Sequence, residues 1–231
     1  YWSAVGYYFA KELSERLGIT VGIIGCNWGG SSASAWMKRE YADGETAVYF
    51  EDYDSATAGK SEQQLKQDYL DYQAYHNEWE RKSAEYYSNT PNPTWDGCLA
   101  YCGENKYPGP ASPLNPMSPG VLHKSMIERI APYTMTGVIW YQGESDDHRP
   151  GMYYKLLNQM IRNWRDDWND DELFFVIGQL PMHRWEADPD FKNWCTIREA
   201  QAKTARTTAG TALAVLTDCG EFSEIHPKDK K

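Results

Sequence analysis

The sequence predicts an α/β domain built on a parallel sheet with helices on both faces. Two observations point there. Short uninterrupted apolar runs, such as GVIWY, FFVIG and ALAVL, read as strands buried on both sides. Segments with apolar residues at helical spacing alternate with them, the pattern of crossover helices joining parallel strands.

The elements follow in order. SAVGYYFAKELSERLG repeats Val5, Phe9, Leu13 and Leu17 along one helical face, and Gly18 supplies a C-terminal cap. ITVGIIG, residues 19–25, reads as the first strand, and MTGVIWYQ, 135–142, as the second. MYYKLLNQMIRNWRDDW then places Tyr153, Leu157, Met160, Trp164 and Trp168 on one stripe. LFFVIGQL is a third strand, WCTIREAQAKTAR a further helix and TALAVLT a fourth strand.

Between these halves the character changes. SEQQLKQDYLDYQAYHNEWERKSAEYY opens with a capping box, Ser61 to Gln64, and aligns Leu65, Tyr69, Tyr72, His76 and Trp79. Residues 89–120 then carry seven of the twelve prolines, which predicts a long stiff loop over the surface. Such loops serve as lids or substrate walls, or merely decorate the periphery.

Composition narrows the function. The chain has 231 residues, enough for one large domain, and a net charge of −10. That acidity argues against a nucleic-acid partner, because such binding rests on Lys and Arg at phosphates. No window reaches the roughly 18 apolar residues of a membrane span. Cys98 and Cys102, four apart in CLAYC, suggest a local disulfide and an oxidising compartment, and no second Cys or His pair accompanies them to hold zinc. The sequence opens directly on its first helix without a leader-like segment, so an upstream extension is expected.

In parallel sheets ligands bind beyond the carboxyl ends of the strands. After the first strand stands CNWGGSSASAW, after the second QGESDD, and after the last DCGEFSEIHPKDK. These offer the chemistry of acyl transfer. Gly29 and Gly30 present backbone N–H groups, Gln142 an amide, His226 a base, and Asp218 or Glu224 a carboxylate to orient it. There is no G-x-S-x-G elbow. A second class of function is a carbohydrate-binding module, with Trp79, Trp95, Tyr101 and Tyr107 as a stacking platform.

VGIIGCNWGGSSASAW, GVLHKSMIERIAPYTMTGVIWYQGESD, MYYKLLNQMIRNWRDDW, IREAQ and DCGEFSEIHPKDK together resemble the sialate O-acetylesterases of the SGNH-hydrolase superfamily, and in part the related acetylxylan esterases. The likeness runs from about Ser3 to the C-terminus, interrupted by an insertion at about 45–115, so residues 1–231 read as a partial esterase domain. It implies a three-layer α/β/α, flavodoxin-like fold. It also implies removal of O-acetyl groups from sialic acid or a related sugar, without metal or other cofactor, in a secreted, periplasmic or lysosomal protein. By this resemblance His226 is the catalytic base, Gly30 an oxyanion-hole N–H and Gln142 the side-chain donor, with Glu144 and Gly29 at the substrate. For the acid, Asp218, Glu224 and a Ser–His dyad all stand, Asp218 being favoured; the superfamily's usual position falls on Ser223. Arg184 is the best placed of Arg149, Arg184 and Arg198 to meet a sugar carboxylate.

One block departs from that pattern. The G-Q-S-N-like stretch that carries the family's serine on a central strand is absent, and Ser31, Ser32 and Ser145 do not stand in its place. The central strand and its serine are therefore expected upstream or on a companion chain.

Overall fold

The structure, a computed structural model, describes residues 3–184, 188, 190, 192–222 and 225–227. Helix α1 (Ala4–Leu17) starts where the Ser3 hydroxyl accepts the Gly6 N–H at 3.3 Å, and it stops at Gly18, whose φ of 64° closes the last turn. Three strands, β1 (Gly137–Trp140), β2 (Phe174–Gly178) and β3 (Thr211–Ala214), form a sheet in the order β1-β2-β3. Both pairings are parallel, with Trp140 opposite Ile177 and Ile177 opposite Leu213. Helix α6 (Tyr153–Trp168) makes the crossover from β1 to β2, and α7 (Lys192–Thr207) that from β2 to β3.

The stripe expected on α6 is the centre of the core. Tyr153, Leu157, Met160, Trp164 and Trp168 are all buried. The Trp164 ring stands edge-on to Trp140 at 5.7 Å and tilted on Phe175 at 6.0 Å. Its indole N–H donates to Trp36 O at 2.7 Å, satisfying the one polar atom that burial would otherwise penalise. Trp140, Phe175 and Ile177 belong to this core. The register places Ile139 and Val176 on the opposite face of the sheet, where they border a cavity that α1 also lines.

The predicted first strand is a correction. Residues 19–25 are irregular and pair with no strand among the described residues. Strand formation is a property of two segments, and the space beside this one is open: a Cβ built on Gly22 would meet nothing within 4 Å. The other strands form within their predicted runs but are shorter, since pairing ends where the loops diverge.

The insertion comprises α2 (Val48–Thr57), α3 (Glu62–Asn89) and α4 (Trp95–Cys102). The capping box at Ser61 and Gln64 is present. α4 occupies part of the expected loop, started by the Thr94 hydroxyl accepting the Gly97 N–H. The expected Cys98–Cys102 disulfide is not formed: both are buried free thiols, 3.7 Å apart at sulfur on successive turns of α4. With Trp79 they make a small separate core, so Trp79 is packed rather than offered to solvent.

A π-helical turn, His123–Ile127, leads through α5 (Glu128–Ile130) towards β1. It is tied to α6 by His123 Nε2, 2.6 Å from Asp167, which also takes Lys38 Nζ at 2.5 Å and the Asn163 amide at 2.8 Å.

Truncating Trp164 to Ala should cost roughly 3–5 kcal/mol in denaturant unfolding, whereas Trp95→Ala, at a half-exposed site, should cost far less.

Candidate active site

The polypeptide leaving β1 is held by one buried carboxylate. Asp146 ends a 3₁₀ turn, Glu144–Asp146, and is fully buried. Its oxygens accept from Ser32 Oγ at 2.5 Å, Ala33 N at 2.9 Å, Gln142 Nε2 at 2.7 Å and Tyr49 Oη at 3.2 Å. It thereby joins the Gly-Gly loop, the end of β1 and the insertion helix α2. Burial pushes the Asp146 carboxyl above the usual range, and the donors from Ser32, Ala33 and Gln142 draw it back.

Gln142 is fixed by the same network. Its Nε2 donates to Asp146 and, at 3.0 Å, to Ser31 O, while the Tyr153 hydroxyl lies 2.9 Å from its backbone oxygen and 3.0 Å from Oε1. Both amide hydrogens thus point into the protein. Gly143 follows with φ 151°, and a Cβ there would stand 2.9 Å from Ile197. Only glycine lets the turn press against α7, where Gln201 Nε2 donates to Gln142 O at 2.9 Å.

Gly30 is the second position that demands glycine. Its φ is 72°, and a Cβ would come within 2.2 Å of the Tyr107 hydroxyl, which donates to Gly30 O at 2.8 Å. Tyr107 comes from the Pro-rich stretch, so part of that stretch forms a wall of the site. Gly29 carries no such restriction, since a Cβ there would meet nothing within 4 Å.

Gly29, Gly30, Gln142, Glu144 and His226 line one cavity of about 1770 Å³. All five were singled out from the sequence. Burial raises the Glu144 carboxyl above its ordinary range, while the nearby His226 and the N–H groups of Glu144 and Gly143 lower it. Asp218 lies exposed on the 3₁₀ turn Thr217–Cys219 and is not in the cavity wall. Arg184 is also outside that wall: its N–H donates to Phe222 O at 2.9 Å and its guanidinium lies 5.9 Å from the Phe222 ring centre. Arg198 is tied to Leu180 O and Thr217. Arg149 does line the cavity, paired with Asp52 at 2.5 Å. Ser223 and Glu224 lie outside the described residues.

Sequence reasoning missed Asp146, Tyr49, Tyr153 and Gln201. Asp146 stands four residues after Gln142 in the same motif, the one local hint of their contact.

Replacing Asp146 by Ala would strand four donors, two of them on side chains from distant segments. A loss of about 3–5 kcal/mol in urea unfolding is expected. For Glu144 the sign is opposite. A folded-state pKa above the unfolded one means that the charged form is disfavoured by folding. The penalty is absent below about pH 4 and grows as pH rises through the raised value. Glu144→Gln should therefore be more stable than the parent at pH 7, with the advantage gone near pH 4, as thermal midpoints at the two pH values would show.

The chain is similar to known carbohydrate esterases. Residues 114–221 match a family described as carbohydrate esterase, sialic acid-specific acetylesterase. The whole chain aligns with the sialate O-acetylesterases of Pongo abelii at 22% identity and Rattus norvegicus at 23%. It covers 37% and 40% of their lengths, so it spans about two-fifths of the curated relatives it matches. A carbohydrate acetylesterase from Xanthomonas citri superposes with a TM-score of 0.65 at 26% identity, over 99% of this chain and 38% of that one. The chain is thus similar to sialate and carbohydrate acetylesterases along its length, with the match to the family of sialic acid-specific acetylesterases confined to residues 114–221.

Proposed function

We propose that this chain carries the base and oxyanion side of an O-acetylesterase acting on sialic acid or a related acetylated sugar. The observation that carries the reading is the convergence of Gly30, Glu144 and His226 on one cavity at the carboxyl end of β1. The family match and the acetylesterase neighbour support it.

The chemistry runs as a double displacement. A serine hydroxyl, expected from polypeptide beyond these residues, attacks the acetyl carbonyl carbon as His226 accepts its proton. The carbonyl electrons move onto oxygen, and the Gly30 N–H faces that charge. Collapse expels the sugar oxygen, which takes the proton from the imidazolium and leaves an acetyl-serine. Water then attacks, giving its proton to His226. The second collapse releases acetate and returns that proton to the serine.

Glu144 is the carboxylate whose charge meets His226, and it would favour the imidazolium that forms in each step. Asp218 is the alternative acid from the sequence. Gln142, with both hydrogens committed inwards, acts by holding the loop that positions Glu144. As an oxyanion donor it would first have to release Ser31 O or Asp146. The cavity-lining Arg149 is the guanidinium placed to meet a sugar carboxylate, balanced by Asp52.

In the polypeptide that contains the serine, His226→Ala should lower release of acetate from O-acetylated sialic acid and from p-nitrophenyl acetate by about 10³ or more, with the fold retained. Glu144→Gln should lose on the order of 10² or more in kcat, and Asp218→Asn much less. Full activity in the His226 variant would refute the mechanism, and the reverse order for the two carboxylates would move the acid to Asp218.

A further inference from the structure

We infer that the pocket between α3 and the Pro-rich stretch is a second sugar subsite, which takes a neutral pyranose joined to the acetylated unit. The inference rests on the esterase reading for its substrate and adds where the next unit of the glycan lies.

The pocket encloses about 380 Å³ and is lined by Asp71, Tyr72, Tyr75, Lys106, Gly109 and Pro110. Positions 71, 72 and 75 fall on one side of α3, because residues three and four apart in a helix are neighbours. The Pro-rich stretch supplies the opposite wall, and several bonds hold it there. The Tyr75 hydroxyl donates to Glu104 O at 2.6 Å, and Trp79 Nε1 donates to Gly103 O at 2.9 Å. The Asn115 amide donates to Pro108 O at 3.1 Å and to Pro110 O at 2.9 Å. Gly109 has a φ of 79°, and a Cβ there would stand 2.5 Å from the Tyr72 ring. Only glycine lets the two walls come this close. Tyr72 is itself stacked on His76 at 5.3 Å. The pocket is therefore built before any ligand arrives.

The chemistry of the walls selects the occupant. Two tyrosine rings offer apolar surface on which the C–H face of a pyranose can rest. Asp71 and Lys106 add one charge of each sign, so neither a cation nor an anion is favoured outright. Among the described residues neither of them forms an ion pair. Asp71 accepts from the Gln67 amide at 2.8 Å, and the Lys106 ammonium lies 4.4 Å from the Tyr75 ring centre. Carboxylate lone pairs and ammonium hydrogens thus remain for hydroxyl groups. The volume lies within the roughly 300–1,000 Å³ of small-molecule sites, which combine aromatic walls with a few polar groups. A neutral polyhydroxylated ring meets each of these conditions.

Position links the pocket to the reaction. Gly109 borders both this pocket and the main cavity, and Pro108 beside it lines the cavity. Tyr107, the next residue back, donates to Gly30 O. The pocket thus adjoins the Gly30 end of the cavity. A glycan whose acetylated unit occupies the cavity can place its neighbouring unit past Gly109.

The test titrates the 231-residue chain with lactose and with 3′-sialyllactose and follows amide NMR shifts. Shifts are expected at residues 71–75 and at Lys106, Tyr107 and Gly109, with a Kd on the order of 1 mM for lactose. The double variant Asp71→Asn, Lys106→Met changes only exposed side chains and should weaken binding about tenfold. In the polypeptide that contains the serine, it should raise KM for acetylated 3′-sialyllactose relative to acetylated sialic acid by about tenfold. No shift at either segment with about 20 mM of either saccharide would overturn the subsite. Equal affinity of the double variant, or an unchanged KM ratio, would overturn it too. Shifts without acetate release from p-nitrophenyl acetate uphold the subsite and count against the esterase reading alone. Release without shifts does the reverse.

Discussion

The site depends on a carboxylate that never meets solvent. Asp146 is sequestered by four donors, from Ser32, Ala33, Gln142 and Tyr49, which come from three separate parts of the chain. An unpaired buried charge would cost several kcal/mol, so the fold tolerates Asp146 only when all three parts are in place. The requirement works in both directions. It positions the Gly30 loop against the end of β1, and it makes the insertion part of the site through Tyr49. Remove the loop or the insertion, and the carboxylate loses the partners that make its burial acceptable.

From that constraint the division between frame and chemistry follows. Gln142 and Asp146 occupy each other, which leaves Glu144, His226 and the Gly30 segment among the cavity-lining residues outside that pair. Glu144 sits two residues from the anchor on the same short turn. Its position is thus set by a network in which it takes no part through its own side chain. Its carboxyl is disfavoured by burial and favoured by His226, the balance expected of a group kept for function at some cost in stability.

How much of this was legible depends on whether the signal is local. The α6 stripe from Tyr153 to Trp168 was readable because a 3.6-residue period fixes a face whatever that face meets, and here it meets Trp140 and Phe175. That Gly30, Gln142 and His226 share one cavity was legible because strand ends in a parallel sheet point to one side. Residues 19–25 were misread as a strand because composition reports the capacity to pair and says nothing of a partner. Cys98 and Cys102 misled for a similar reason: spacing suggested a bridge, while Trp95–Cys102 coils them into successive turns around Trp79. The bond from Ser32 to Asp146 spans 114 positions, and no periodicity announces it.

The overturned strand at residues 19–25 and the open stripe of α1 have one cause. α1 has the stripe of a core helix and residues 19–25 have the composition of a buried strand, yet both look onto the same groove along β1. Sequence patterns are set by the environment in which a segment is finally buried, so an apolar face over an open groove is evidence about what fills the groove. The covered face of the sheet, with α6 and its tryptophans, can hold the Asp146 network rigid without help from the open edge. That separation lets the Asp146 network form while, among the described residues, β1 pairs with β2 alone.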